Sequence, residues 1–226
     1  MNKKELTAII LSTIILAFSF TLINLFENIL LYSLIFVLVI LINTFGKKLI
    51  GEFANLSTEV KLWEMRRYGL FGLFTKLGHP QKDFKKPLPL GVLIPPITAI
   101  LTLGYIPFLA GLTFEVKPMP AYSARGREAF SKKRGGGTGL YRFSEATEWH
   151  IGLIAVGGIL ANLIFALLGY LINQPEFATI NLSYAFFNLI PISELDGTKI
   201  YMGSSLVWVI LAIITTISVA MTFLVL

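Results

Sequence analysis

Few residues in this chain could do chemistry. The most conspicuous are Glu194 and Asp196, two carboxylates at the end of the apolar run NLIPISELDG, Asn188 to Gly197. An acid in that position can be a metal ligand, half of an acid–base pair, or the point where a helix meets water. The chain has no cysteine and two histidines, His79 and His150. That excludes disulfides, thiolate metal sites and a cysteine nucleophile, and leaves histidine and carboxylate as the only strong metal ligands. Further polar side chains stand inside apolar stretches, where burial is costly and usually has a purpose. They are Asn43, Thr44, Asn162, Asn181 and Asn188. Gly158, Asn162 and Ala166 recur at every fourth residue, so a helix there carries a small-residue stripe with an amide at its centre. Such a stripe serves either close helix packing or contact with a substrate, for example by holding an extended backbone through the amide.

The elements that must position these residues belong to a membrane protein. Of 226 residues, 55% are hydrophobic and 14% charged, with a mean hydropathy of +0.74, whereas soluble domains carry about 25% charged residues. The spacing predicts an all-α polytopic membrane domain over residues 1–226, with about five spans near 6–26, 29–45, 151–173, 177–192 and 205–226. The first span is too long for a cleaved signal peptide and has no small-residue cleavage site after it. The fourth is short and must tilt or borrow its flanks to cross. Pro191 weakens its far end, so the backbone from Asn188 onward need not be regular helix, which membrane depth tolerates beside buried protein or a wet cavity.

Residues 88–114 behave differently. Pro89, Pro95, Pro96 and Pro107, with Gly91, Gly104 and Gly111, argue against one straight helix. Of the 19 Lys and Arg, two precede the first span, nine lie from Lys47 to Lys86, seven from Lys117 to Arg142, and Lys199 follows Asp196. A re-entrant 88–114 segment puts all of them on one side. The positive-inside rule then makes the amino terminus and the basic loops, 46–87 and 115–150, cytoplasmic in a multi-pass cell-membrane protein. The net charge of +6 is accounted for by anionic lipid head groups beside those loops, and no nucleic-acid module accompanies it. The glycine run in SARGREAFSKKRGGGTG, Ser123 to Gly139, lacks the preceding strand and the GK[ST] ending of a phosphate loop.

Two motifs together carry a family resemblance. NLIPISELDG resembles the N-L-x-P-x-x-x-L-D-G motif of the site-2 protease family of intramembrane zinc metalloproteases. AVGGILANLIFALLGYL, Ala155 to Leu171, is similar to that family's G-x-x-x-N span. In the family, zinc is held by the histidines of H-E-x-x-H on an earlier span and by the aspartate of the D-G motif, and the glutamate activates water. No H-E-x-x-H occurs here. STEVKLW, Ser57 to Trp63, resembles the turn that follows the metal helix. An ungapped count back from it sets the metal motif on NTFGK, with Asn43 and Lys47 at the histidine positions and Thr44 at the glutamate position.

The resemblance implies Asp196 as the residual ligand position and Asn162, Asn188 and Pro191 as substrate-binding residues. Zinc is the family cofactor, and none is expected here. An ammonium in place of a metal ligand can neutralise the aspartate that zinc once neutralised, which predicts an ion pair of Asp196 with Lys47 or Lys48. The expected function is a proteolytically inactive relative that binds or regulates a transmembrane protein client. The alternatives are an active metallopeptidase whose site recruits His79 or His150, with Glu145 and Glu148 as further candidates, and a small transporter.

Overall fold

The computed structural model describes residues 2–22, 28–67, 83–118 and 146–225. Its helices are α1 (Lys3–Thr21), α2 (Ile29–Phe53), α3 (Leu90–Leu101), α4 (Glu148–Leu171), α5 (Pro175–Leu189), α6 (Asp196–Gly203) and α7 (Ser205–Val225). Four of them, α1, α2, α4 and α7, are long and apolar enough to cross a membrane. α5 has 15 residues, shorter than the roughly 20 a straight span needs. It opens on Pro175, whose missing N–H costs nothing in a first turn.

The mostly helical membrane class therefore stands, with differences of extent. α2 runs on through Gly46, Lys47 and Lys48 to Phe53, so these residues are helical rather than part of a basic loop. The stretch from 88 to 114 contains a 12-residue helix that keeps both Pro95 and Pro96 inside it. Thr98 Oγ1 donates back to the carbonyls of Ile94 and Pro95 just below.

Two short ribbons were not anticipated. β1 (Leu56–Leu62) pairs antiparallel with β4 (Leu112–Pro118), from Leu56 opposite Pro118 to Leu62 opposite Leu112. β2 (Met65–Arg67) pairs with β3 (Asp83–Leu88). Both strands of the first ribbon alternate. Leu56, Val60, Leu112 and Phe114 face the core, while Lys61 with Glu115 and Lys117 with Glu59 form ion pairs on the outer face. The alternation was present in LSTEVKL. It is short and follows a continuous apolar helix, and its partner lies more than 50 residues later, which is why a helix-based reading passed over it.

α4 is the central element, packed against α2, α5 and α6, while α1 lies on α2 and α3, and α7 on α5. α2 and α4 approach closely because each offers a glycine: a Cβ on Gly46 would collide with the Gly157 carbonyl, and one on Gly157 with Ile50. The amino-terminal helix is tied to the ribbon by Glu5, whose buried carboxylate accepts from the Val60 N–H at 3.0 Å and from Lys48 Nζ at 3.1 Å. Trp63 links the ends of the 88–114 segment. Its carbonyl accepts from the Gly91 N–H at 2.9 Å, and its N–H donates to the Gly111 carbonyl at 3.0 Å.

Candidate functional site

α5 ends at Leu189, two residues before Pro191, and the chain runs as irregular backbone to Leu195, with Ser193 left-handed at a φ of 53°. A proline there lacks the N–H that would continue the helix. The Leu189 carbonyl accepts instead from Trp208 Nε1 of α7 at 2.9 Å. The same carbonyl explains the glycine after the aspartate, because a Cβ on Gly197 would run into it. The NLIP segment and the D-G pair thus fold back on each other, and Asp196 starts α6 fully buried.

Opposite it stands Lys47. Its Nζ lies 2.7 Å from Asp196 Oδ2, with the two side chains 1% and 0% exposed. The expected ion pair is therefore present and involves Lys47, while Lys48 serves Glu5. The contact is ionic more than directional: neither Asp196 oxygen meets hydrogen-bond geometry with a donor. The pair is reached across the glycine stripe of α4. A Cβ on Gly158 would sit 2.8 Å from Lys47 Cε and 3.0 Å from Asn43 Nδ2. Only a residue without a side chain lets the lysine stem lie flat on α4.

Asn43, Thr44, Lys47, Asn162, Asn188 and Asp196 are all buried, and their elements, α2, α4, α5 and α6, pack together through α4. Their polar atoms are poorly satisfied. Asn162 has neither amide atom hydrogen-bonded, Asn43 Nδ2 is free, and Asn188 donates to the Tyr184 carbonyl at 2.8 Å but leaves Oδ1 unpaired. Unpaired amides at such depth cost about 1–3 kcal/mol each. A cluster of them is a place where a polar partner is favoured. Pro191, in contrast, is exposed, at the turn that follows α5.

Three residues outside the sequence-based set complete the cluster. Lys199, one turn after Asp196 on α6, donates through Nζ to the Phe114 carbonyl at 2.6 Å and to Thr113 Oγ1 at 2.7 Å. The Thr113 hydroxyl in turn donates to the Glu194 carbonyl. The Phe114 ring meets both ammonium groups, 5.1 Å from Lys47 Nζ and 3.8 Å from Lys199 Nζ. Burial pushes the Lys199 amine down to about 7; the Lys47 charge adds to the fall, and Asp196 opposes it. The i to i+3 spacing of Asp196 and Lys199 was the available signal. Phe114 and Thr113 could be found only through the strand pairing.

The donor set does not fit zinc. Asp196 is the one hard ligand in the cluster, and its charge is already met by an ammonium that would repel a cation placed beside it. The other contributors are amides and lysines. Among the described residues no three His, Asp or Glu side chains gather in a metal-binding group. His150 sits in the first turn of α4, with Nδ1 2.7 Å from Thr147 Oγ1. His79 and Glu145 lie outside the described residues. Comparison with known proteins returned no matching family model, curated protein or solved structure.

Proposed function

We propose that this chain is a non-catalytic relative of the site-2 proteases, a multi-pass membrane protein that receives a transmembrane client and holds or shields it without hydrolysis. The observation that carries the reading is the buried Lys47–Asp196 pair at 2.7 Å. An ammonium lies against the carboxylate that would be the third zinc ligand, on the helical position where the resemblance expects a histidine. In this reading the ammonium fills the place of a metal ligand, and the site would hold no metal-bound water for peptide cleavage. The unpaired amide of Asn162 and the free Oδ1 of Asn188 are the groups that would meet a client's backbone, since a peptide bond supplies both a donor and an acceptor. In this reading the amino terminus and basic loops are cytoplasmic, beside anionic head groups, and residues 88–114 re-enter without crossing. The meeting of Gly91 and Gly111 at Trp63 supports the last point, because the segment leaves and returns at one place.

Two measurements on protein in liposomes test the proposal. Metal analysis should find no stoichiometric zinc, and Asp196→Ala should not alter the metal content; one zinc per chain that is lost on Asp196→Ala would overturn it. A photo-crosslinking residue at position 162 should capture a transmembrane peptide with a helix-breaking centre and leave it uncut. Hydrolysis of that peptide, or equal capture of a plain polyleucine span, counts against the reading.

A further inference from the structure

Asn43, Lys47, Asn162, Asn188 and Asp196 are each 2% exposed or less. A client that is to reach them must displace something. Three of the covering elements are helices, with α2 and α5 packed on α4, and the α2–α4 crossing leaves no room for a Cβ at Gly46 or Gly157. The fourth is β4. Phe114, 2% exposed, lies with its ring on the ammonium groups of both Lys47 and Lys199. On its inner edge the strand is paired with β1. On its other edge it is fastened by side chains: Lys199 Nζ to the Phe114 carbonyl and Thr113 Oγ1, and the Thr113 hydroxyl to the Glu194 carbonyl, two residues before Asp196. In the ladder Val60 opposes Phe114, and the Val60 N–H is taken by Glu5. The ribbon is thus held on the α1 side by the β1 ladder and the Val60–Glu5 bond, and on the α6 side by a few polar contacts, with Leu112 and Phe114 in the core.

We propose that β4 is an autoinhibitory strap, with Phe114 as the plug over the Lys47–Asp196 site and Lys199 with Thr113 as the latch that holds it shut. The inference rests on the reading of this cluster as a client site and adds how access to it is controlled. The asymmetry of the fastening supports it. The latch consists of three polar contacts from two side chains, Lys199 and Thr113, whereas the other edge of the strand is held by a full ladder of backbone pairs. The Lys199 amine, already pushed down to about 7, keeps its proton less firmly than an ordinary lysine. Opening the latch frees the outer edge of β4, and with it the Phe114 ring that lies on both ammonium groups.

The absence of cysteine makes the test direct. A single reporter, Asn43→Cys, is reconstituted in liposomes and its rate of labelling by N-ethylmaleimide is followed. Labelling should be slow with the latch intact, and faster by about tenfold or more in Thr113→Val and Lys199→Met, as for local opening that loses a hydrogen bond to a charged group. Thr113→Ser should restore the slow rate, and Lys117→Met, which removes an outer-face ion pair of the same strand, should leave it unchanged. Fast labelling with the latch intact, or unchanged rates in both latch variants, overturns the strap. If Lys199→Met does not elute as a single species, Thr113→Val decides alone. The readout involves neither zinc nor client. Unchanged labelling with successful client crosslinking removes the strap and spares the function, while faster labelling without crosslinking does the reverse.

Discussion

At the scale of single residues, the buried Asp196 carboxylate is compensated by the Lys47 ammonium. Buried charges are tolerated when paired, and removing one partner strands the other at a cost of about 3–5 kcal/mol. Lys47→Met should therefore destabilise the protein by about that amount, and Asp196→Leu by a similar amount. The double variant should fall well short of the sum, because it removes both members of the 2.7 Å pair together. Thermal unfolding of the four proteins in detergent gives the coupling directly; additive losses would mean that the two groups do not depend on each other. Lys47 was legible in the sequence only through the resemblance, which sets it at a histidine position. Which of Lys47 and Lys48 faced Asp196 was settled by helix phase: α2 continues unbroken, so Lys47 points to α4 and Lys48 to Glu5.

At the scale of elements, the D-G motif works through a contact between backbones. The turn after α5 brings Gly197 onto the Leu189 carbonyl, and Trp208 of α7 closes the other side of that carbonyl. Gly197→Ala must push these backbones apart and should lower stability by about 1–3 kcal/mol or more. Gly152→Ala should cost less, since its Cβ would stand 3.1 Å from the Lys199 carbonyl and needs only a small adjustment. Equal melting shifts for the two would remove the contact as the motif's reason. The helices were readable because long apolar runs are strong signals. The stop at Pro191 was readable because proline lacks a donor. The β1–β4 ribbon, and with it Thr113 and Phe114, was not readable, because pairing across some fifty residues leaves no local trace.

At the scale of the whole molecule, the proposed topology makes a sidedness prediction that cysteine scanning can read. Cysteines at Asn2 and Lys117, both exposed, should react with an impermeant maleimide from one side of sealed vesicles. Asn173→Cys, in the exposed turn after α4, should react from the other. Labelling of Lys117→Cys from the Asn173 side would mean that residues 88–114 cross the membrane.

The Lys47–Asp196 pair also bears on reversibility. If Lys47 stands where a histidine ligand once stood, restoring that histidine alone returns no enzyme. It leaves Asp196 without its ammonium, with Asn43 and Thr44 still unable to bind metal or activate water. Under the proposed reading, each single step back toward a hydrolase would lower fold stability with no activity to offset the loss. A chain with this pair would be held in its non-catalytic form by a valley in stability, independently of any advantage in having no activity.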